Sequence, residues 1–211
     1  KAVRIILTED HLFITNDGAP FSPEGVEAIC NLDRSPKRDR RITIGNKGIG
    51  FKSILAWTKE PSIYSTTFQF FFDREKSAKE ISEKVGIHFD RTYSPKEVPL
   101  MRLPFWVPDS NPEIGKLMDE GYVTTIVLKL KSNEVYKEIN NELKEFDDLS
   151  LLFLHALSCL EIITSKEKRR FIVDRQSENI QIDKNGKKES YRHFSRDLDI
   201  PNDVKESLSQ D

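Results

Sequence analysis

Three glycines at the spacing G-x-x-G-x-G constrain this chain more than any other feature. Gly45, Gly48 and Gly50 lie within Ile44-Gly45-Asn46-Lys47-Gly48-Ile49-Gly50-Phe51-Lys52-Ser53. Glycine tolerates φ > 0 and lets a ligand approach the backbone closely. Successive N–H groups in such a loop can converge on an anion. A helix that follows adds its free N–H groups and the positive end of its dipole. Lys47 and Lys52 add charge, and Ser53 adds a hydroxyl. The expected object is a phosphate cradle, set against the plainer alternative of a glycine-rich turn before a core helix. The dinucleotide fingerprint and the protein-kinase loop have their short and long gaps in the reverse order. A P-loop would need Lys directly after its last glycine, but Phe51 stands between Gly50 and Lys52-Ser53.

The 211 residues suffice for one large domain, or for a domain with a C-terminal extension. Hydrophobic residues make up 37% and charged residues 32%, and thirteen Phe can still build a core. A net charge of −2 gives no global basic field of the kind nucleic-acid binding uses. Cys30 and Cys159 lie far apart in apolar contexts, which fits buried reduced thiols. No apolar run reaches the ~18 residues of a membrane span, and no signal peptide is recognisable. A non-membrane, intracellular protein, cytoplasmic or nuclear, is the expectation. The chain enters a strand pattern directly after Lys1, without an initiator Met, which suggests a segment of a longer protein.

Along the chain, Val3–Leu7 and Leu12–Thr15 read as a β-hairpin, followed by a sharp loop at Asn16-Asp17-Gly18-Ala19-Pro20. Ser22 as N-cap and Pro23 at the first position open a short helix with Val26, Ile29 and Cys30 on its apolar side. Asp33 to Arg41 carries five basic and two acidic side chains and reads as a surface loop. A helix is expected over Phe51–Trp57, stopped by Pro61, and a strand over Ile63–Phe72. A further strand is expected near Gly86–Phe89, and a proline-rich excursion over Tyr93–Pro112. Gly121–Leu130 is the clearest strand. An amphipathic helix is expected over Tyr136–Phe146 and an apolar one over Leu149–Leu160. Phe171–Val173 and Asn179–Ile182 suggest a hairpin, Asp183 to Gly186 a turn, and 196–211 a frayed polar tail. The order of elements points to α+β, with helices on one face of a mainly antiparallel sheet.

Taken together, three elements resemble the GHKL ATPase superfamily and its Bergerat fold. They are the hairpin ending in Asn16-Asp17-Gly18, the loop-helix from Gly45 to Ser53 after a basic connector, and Gly121 with Thr124 and Thr125 on a late strand. The sacsin-like or heat-shock-chaperone-like branch is the most similar. Asn16-Asp17-Gly18-Ala19-Pro20-Phe21, the Ser35…Lys37 pair and Leu151-Leu152-Phe153-Leu154 carry that likeness. The resemblance spans residues 3 to about 160. It implies a two-layer sandwich over 1–165 that binds ATP, with 166–211 as an extension.

That resemblance implies roles for named residues. The adenine-reading acid of the family falls in the register of Asn16, with Asp17 beside it, and either could supply the acceptor. Gly18 belongs to the same turn, and Pro20 replaces a family glycine, which should stiffen the loop. Gly45, Asn46, Lys47, Gly48, Ile49, Gly50, Phe51 and Lys52 would wrap the phosphates, with Phe51 itself better placed as core. Lys37 would act from the connector, and 33–41 would be a lid that orders on ATP. One of Thr124 and Thr125 would reach the adenine edge, since alternation lets only one face the pocket. The family's catalytic Glu and Mg²⁺-binding Asn lie on a helix that would precede Lys1. No residue here is therefore assigned to catalysis or to metal, although Mg²⁺ is implied with ATP.

His11, His88, His155 and His193 match no zinc spacing. Lys166 to Arg170 reads as a solvated basic patch. The functional expectation is an ATP-binding domain of a larger ATP-driven protein, with slow hydrolysis coupled to lid closure. Its expected partners are adenine nucleotide, further domains of the same polypeptide and an ATP-dependent second copy. Two alternatives stand beside it: a degenerate nucleotide- or protein-binding module without ATPase activity, and a histidine-kinase-type phosphotransfer domain.

Overall fold

The structure is a computed structural model that describes residues 1–31, 50–86, 98–107 and 111–194. The chain is α+β. Among the described residues, ten strands form one mixed sheet: β1 (Ala2–Leu7), β2 (His11–Asn16), β3 (Thr58–Ser65), β4 (Gln69–Phe72), β5 (Pro104–Trp106), β6 (Thr124–Leu130), β7 (Cys159–Ile163), β8 (Lys168–Gln176), β9 (Asn179–Lys184) and β10 (Lys187–Arg192). Their order across the sheet is β10-β9-β8-β7-β1-β2-β6-β3-β4-β5. β1 and β7 run parallel and the other pairs antiparallel. The α-helices are α1 (Pro23–Cys30), α2 (Arg74–Val85), α3 (Pro112–Asp119) and α4 (Asn133–Lys144). Short 3-10 helices cover Gly50–Ala56, Leu100–Arg102 and Asp148–Phe153.

Strand alternation sorts the side chains onto two faces. Register pairs Leu7 with Leu12, Leu12 with Leu128 and Ile14 with Ile126, so these share one face. On that face they pack with Ile54, Phe51 and Leu55 of the Gly50–Ala56 helix and with Ile139 and Tyr136 of α4. Farther along it, Ile63, Phe70 and Phe72 meet Val26, Ile29 and Cys30 of α1 and Leu100 and Met101. Toward β9 it continues as Leu160, Ile162, Phe171, Val173, Ile180 and Ile182 under Leu151. Phe13, Tyr64 and Val127 face the other way and are covered by Ile114 and Leu117 of α3.

Each helix start has a local cause. Ser22 accepts from the Gly25 N–H (3.2 Å) and Pro23 follows it, as the sequence pattern predicts. Asp73, Asn111 and Ser132 cap α2, α3 and α4 in the same manner. α2 ends on Gly86 at φ 73°, a left-handed position that glycine occupies without strain.

Several expectations need correction. Helices do not lie on one face alone, because α3 covers Phe13, Tyr64 and Val127 on the opposite side from α1 and α4. Phe51–Trp57 is not an α-helix but a 3-10 helix over Gly50–Ala56, and Pro61 sits inside β3 at a register shift. Ile63–Phe72 is two strands around a tight turn, in which the Ser65 N–H donates to the Phe68 carbonyl (2.8 Å). α2 stands where no helix was expected, and Gly86 ends it rather than opening a strand; 87–89 lie outside the described residues. Leu149–Leu160 is a 3-10 turn followed by β7, since its apolar run forms a buried strand beside β1. The excursion over Tyr93–Pro112 contains β5 among its described residues, and Pro112 opens α3. The C-terminal hairpin is present, and β8, β9 and β10 continue the same sheet. The tail expected over 196–211 lies outside the described residues.

Candidate functional site

The site is built at one end of strands β2, β6 and β3. Register places Asn16 opposite Thr124 and Thr124 opposite Ser65. All three share the face that α1 and the Gly50–Ala56 helix cover. Thr15 pairs with Thr125 on the opposite face. Of the two threonines considered, Thr124 is therefore on the side of Asn16, and Thr125 is not.

The hydroxyls at this end are buried and connected. Thr15, Thr125, Ser65 and Thr124 are at most 3% exposed. Thr15 Oγ1 donates to the Thr124 carbonyl (3.2 Å) and is 2.8 Å from Thr125 Oγ1. A hydroxyl carries one proton, so Thr125 donates to Thr15 in that pair. Ser65 Oγ accepts from the Phe21 N–H (3.0 Å) and is 2.9 Å from Thr124 Oγ1. The Ser65–Thr124 pair has two protons and needs one for its mutual bond. Among the described residues, the other proton remains for a further acceptor.

The Asn16-Asp17-Gly18 corner divides its side chains. Asn16 Oδ1 accepts from the Gly18 N–H at 2.9 Å, a tight turn closed by the side chain itself. A Cβ on Gly18 would lie 2.8 Å from that oxygen, so any larger residue there displaces the Asn16 side chain. Asp17 Oδ1 accepts from the Ala2 N–H (2.7 Å), and the Asp17 N–H donates to the Ala2 carbonyl (3.2 Å). Asp17 is thus engaged with β1, whereas Asn16 stays on the face of Thr124. Asn16 Oδ1 keeps a second lone pair, and its NH₂ brings two donors.

The Gly50–Ala56 helix lies over the same face of the sheet. Its C-terminal end is pinned at the far end of the strands: the Lys131 N–H donates to the Trp57 carbonyl (3.0 Å), and Lys131 Nζ to the carbonyls of Leu55 (2.5 Å) and Ala56 (3.0 Å). Ile54 packs with Leu128, and Phe51 with Ile126 and Ile63. Phe51, the second residue of this helix, therefore lies over Ile126 and Ile63, two residues along the strands from Thr124 and Ser65. Phe21, just after the Asn16 loop, and Phe51, just after the glycines, belong to one cluster.

Lys52 Nζ donates to the carbonyl of Asn31 at 3.0 Å, where α1 ends. This gives a cation near the start of its own helix a second reason to be there, namely the negative end of α1. Arg102 Nη1 donates to Asn31 Oδ1 (3.3 Å). Burial pushes the Cys30 thiol up from its ordinary pKa, and the nearby charges of Arg102 and Lys52 oppose that shift. Lys37, Gly45, Asn46, Lys47, Gly48 and Ile49, with the 33–41 connector, lie outside the described residues. Ser65, Thr15 and Arg102 carry no spacing signal and were legible only in three dimensions. No group of three or more metal-ligating side chains occurs among the described residues, and no described helix is long and apolar enough to cross a membrane.

No family model matches the chain. In an alignment of 163 positions that covers 74% of its length, the chain is 31% identical to Protein NO VEIN of Arabidopsis thaliana. It spans 5% of that relative's length.

Proposed function

We propose that this chain is an adenine-nucleotide-binding domain of the Bergerat type, belonging to a larger ATP-driven protein. One observation carries the proposal: Asn16, Thr124 and Ser65 share one end and one face of the sheet, and Phe51, directly after the glycine run, packs on that face with Ile126 and Ile63. Asn16 Oδ1 accepts from the adenine amino group through its second lone pair. The Asn16 NH₂ and the unspent Ser65–Thr124 proton donate to ring nitrogens. Asp17 holds the corner against β1. Pro20 and the run Ala19-Pro20-Phe21 fix the path from that corner to Ser65. The phosphates extend toward the start of the Gly50–Ala56 helix. ATP, when bound, supplies the cleavable γ-phosphate and carries Mg²⁺ with it; no described residue is assigned to the metal or to activation of water. Positioning and electrostatics are what this chain contributes.

Calorimetric titration with ATP and Mg²⁺ tests the proposal. Saturable one-to-one binding is expected, weakened roughly tenfold by Asn16→Ala, the size of one lost hydrogen bond with a buried partner left unmet. Absence of binding to the unaltered chain, or equal binding by the variant, contradicts it.

A further inference from the structure

The end of α1 gathers two cations from different parts of the chain. Lys52 lies in the first turn after the glycine run, and Arg102 at the end of the 3-10 helix Leu100–Arg102. Both reach the same neutral residue: Lys52 Nζ takes the Asn31 carbonyl at 3.0 Å, and Arg102 Nη1 takes Asn31 Oδ1 at 3.3 Å. The element carrying Arg102 is fixed there by packing. Leu100 and Met101 are buried against Val26, Ile29 and Cys30 of α1 and against Phe51 and Leu55. Both charges are also felt at the Cys30 sulfur.

Bringing two like charges to one point costs energy unless an anion joins them. The C-terminal end of α1 and the carboxylate of Glu27, which accepts from Asn31 Nδ2 at 3.4 Å, offset part of that cost. Yet among the described residues Arg102 spends only one of its five N–H donors, on Asn31, and a guanidinium is suited to bidentate contact with phosphate oxygens. Lys52 has three donors and spends one on Asn31.

Building on the nucleotide-binding reading above, we propose that Arg102 and Lys52 together form the subsite for the terminal phosphates of the nucleotide, with Arg102 as a binding residue supplied by the β4–β5 connection. Asn31 holds the two cations in place before the ligand arrives. A nucleotide that lacks those phosphates gains nothing from the pair. The subsite therefore sets a preference for tri- and diphosphate over monophosphate, separate from the reading of the base at Asn16 and Thr124.

The test uses the full 211-residue chain and calorimetry with ATP, ADP and AMP, each with Mg²⁺. Arg102→Gln is expected to weaken ATP roughly tenfold and to change AMP less than twofold. Arg102→Lys, which keeps the charge but not the fork, should restore part of the loss. Alkylation of Cys30 by iodoacetamide gives an independent readout. In the unaltered chain, ATP should slow it by neutralising the two charges that favour the thiolate. In Arg102→Gln, the same saturation with ATP should slow it less. If the unaltered chain binds ATP and Arg102→Gln binds it equally well, the subsite is wrong and the nucleotide reading stands. If the unaltered chain binds neither ATP nor AMP, both fall. An equal loss for ATP and AMP overturns the subsite, because Arg102 would then support the fold of the site and not the phosphates.

Discussion

The two ends of the β2–β6–β3 strands are built differently. At one end, Leu7, Leu12 and Leu128 are nearly or wholly buried with Ile54 and Ile139, and hydrocarbon fills the space. Three residues along, Thr15, Thr124, Thr125 and Ser65 are equally buried but carry hydroxyls. Burying a hydroxyl costs free energy unless its bonds are met. Those of Thr15 and Thr125 are met by each other and by a backbone carbonyl. Among the described residues, the Ser65–Thr124 pair keeps one proton in hand. One end is filled with hydrocarbon and the other with hydroxyls, which the proposed function assigns to recognition, and substitutions should separate them.

The largest effect is expected at the hydrocarbon end. Leu128→Ala should cost about 2–5 kcal/mol by deleting a fully buried side chain and leaving a cavity. Chemical denaturation measures it, and the variant should still bind ATP under conditions where it remains folded. A loss below 1 kcal/mol would mean that this end is not the anchor.

Next comes the paired hydroxyl network. Thr15→Val should cost about 1–3 kcal/mol, because the Thr125 hydroxyl then loses its acceptor. Adding Thr125→Val should recover much of that loss, since two apolar groups replace two partners. A double variant with simply additive losses would show that the bond does not couple the two sites.

Gly18→Ala should change stability by less than about 1 kcal/mol in an exposed loop. It should weaken ATP severalfold, because the added methyl displaces Asn16 Oδ1. Unchanged affinity would remove Asn16 from the base-reading role.

The smallest effect is pH-dependent and lies on the opposite face. Burial pushes the Glu161 carboxyl up, but Arg4 at 2.6 Å, with Lys168 and Arg170, brings it below the usual carboxylate range. A depressed folded pKa stabilises the protein above the unfolded value of about 4.3 and is lost as pH falls through the folded value. The stability gap between the unaltered chain and Glu161→Gln should be constant from pH 8 to 5 and shrink below about 4.3. A gap that does not change with pH would mean that the carboxylate makes no charge-dependent contribution.

Part of this molecule was legible before the structure. The Ser22-Pro23 start of α1, the strand reaching Leu130 and the Asn16-Asp17-Gly18 corner follow from local chemistry that acts within a few residues. The hidden parts depended on distant partners. Leu149–Leu160 is apolar enough for a helix or a buried strand, and only its place beside β1 decides for the strand. α2 buries Ser77 and Ala78, so it shows no apolar stripe to read. Ser65 joins the candidate site only by standing opposite Thr124, and Arg102 only by meeting the end of α1.

The most direct test maps where the nucleotide lies. Backbone amide NMR of the chain titrated with ATP and Mg²⁺ should shift Asn16, Gly18, Ser65 and Thr124, and leave Thr58, Leu130 and Lys131 at the far end of the same strands unmoved. Shifts confined to that far end, or none at saturating ATP, would contradict the account.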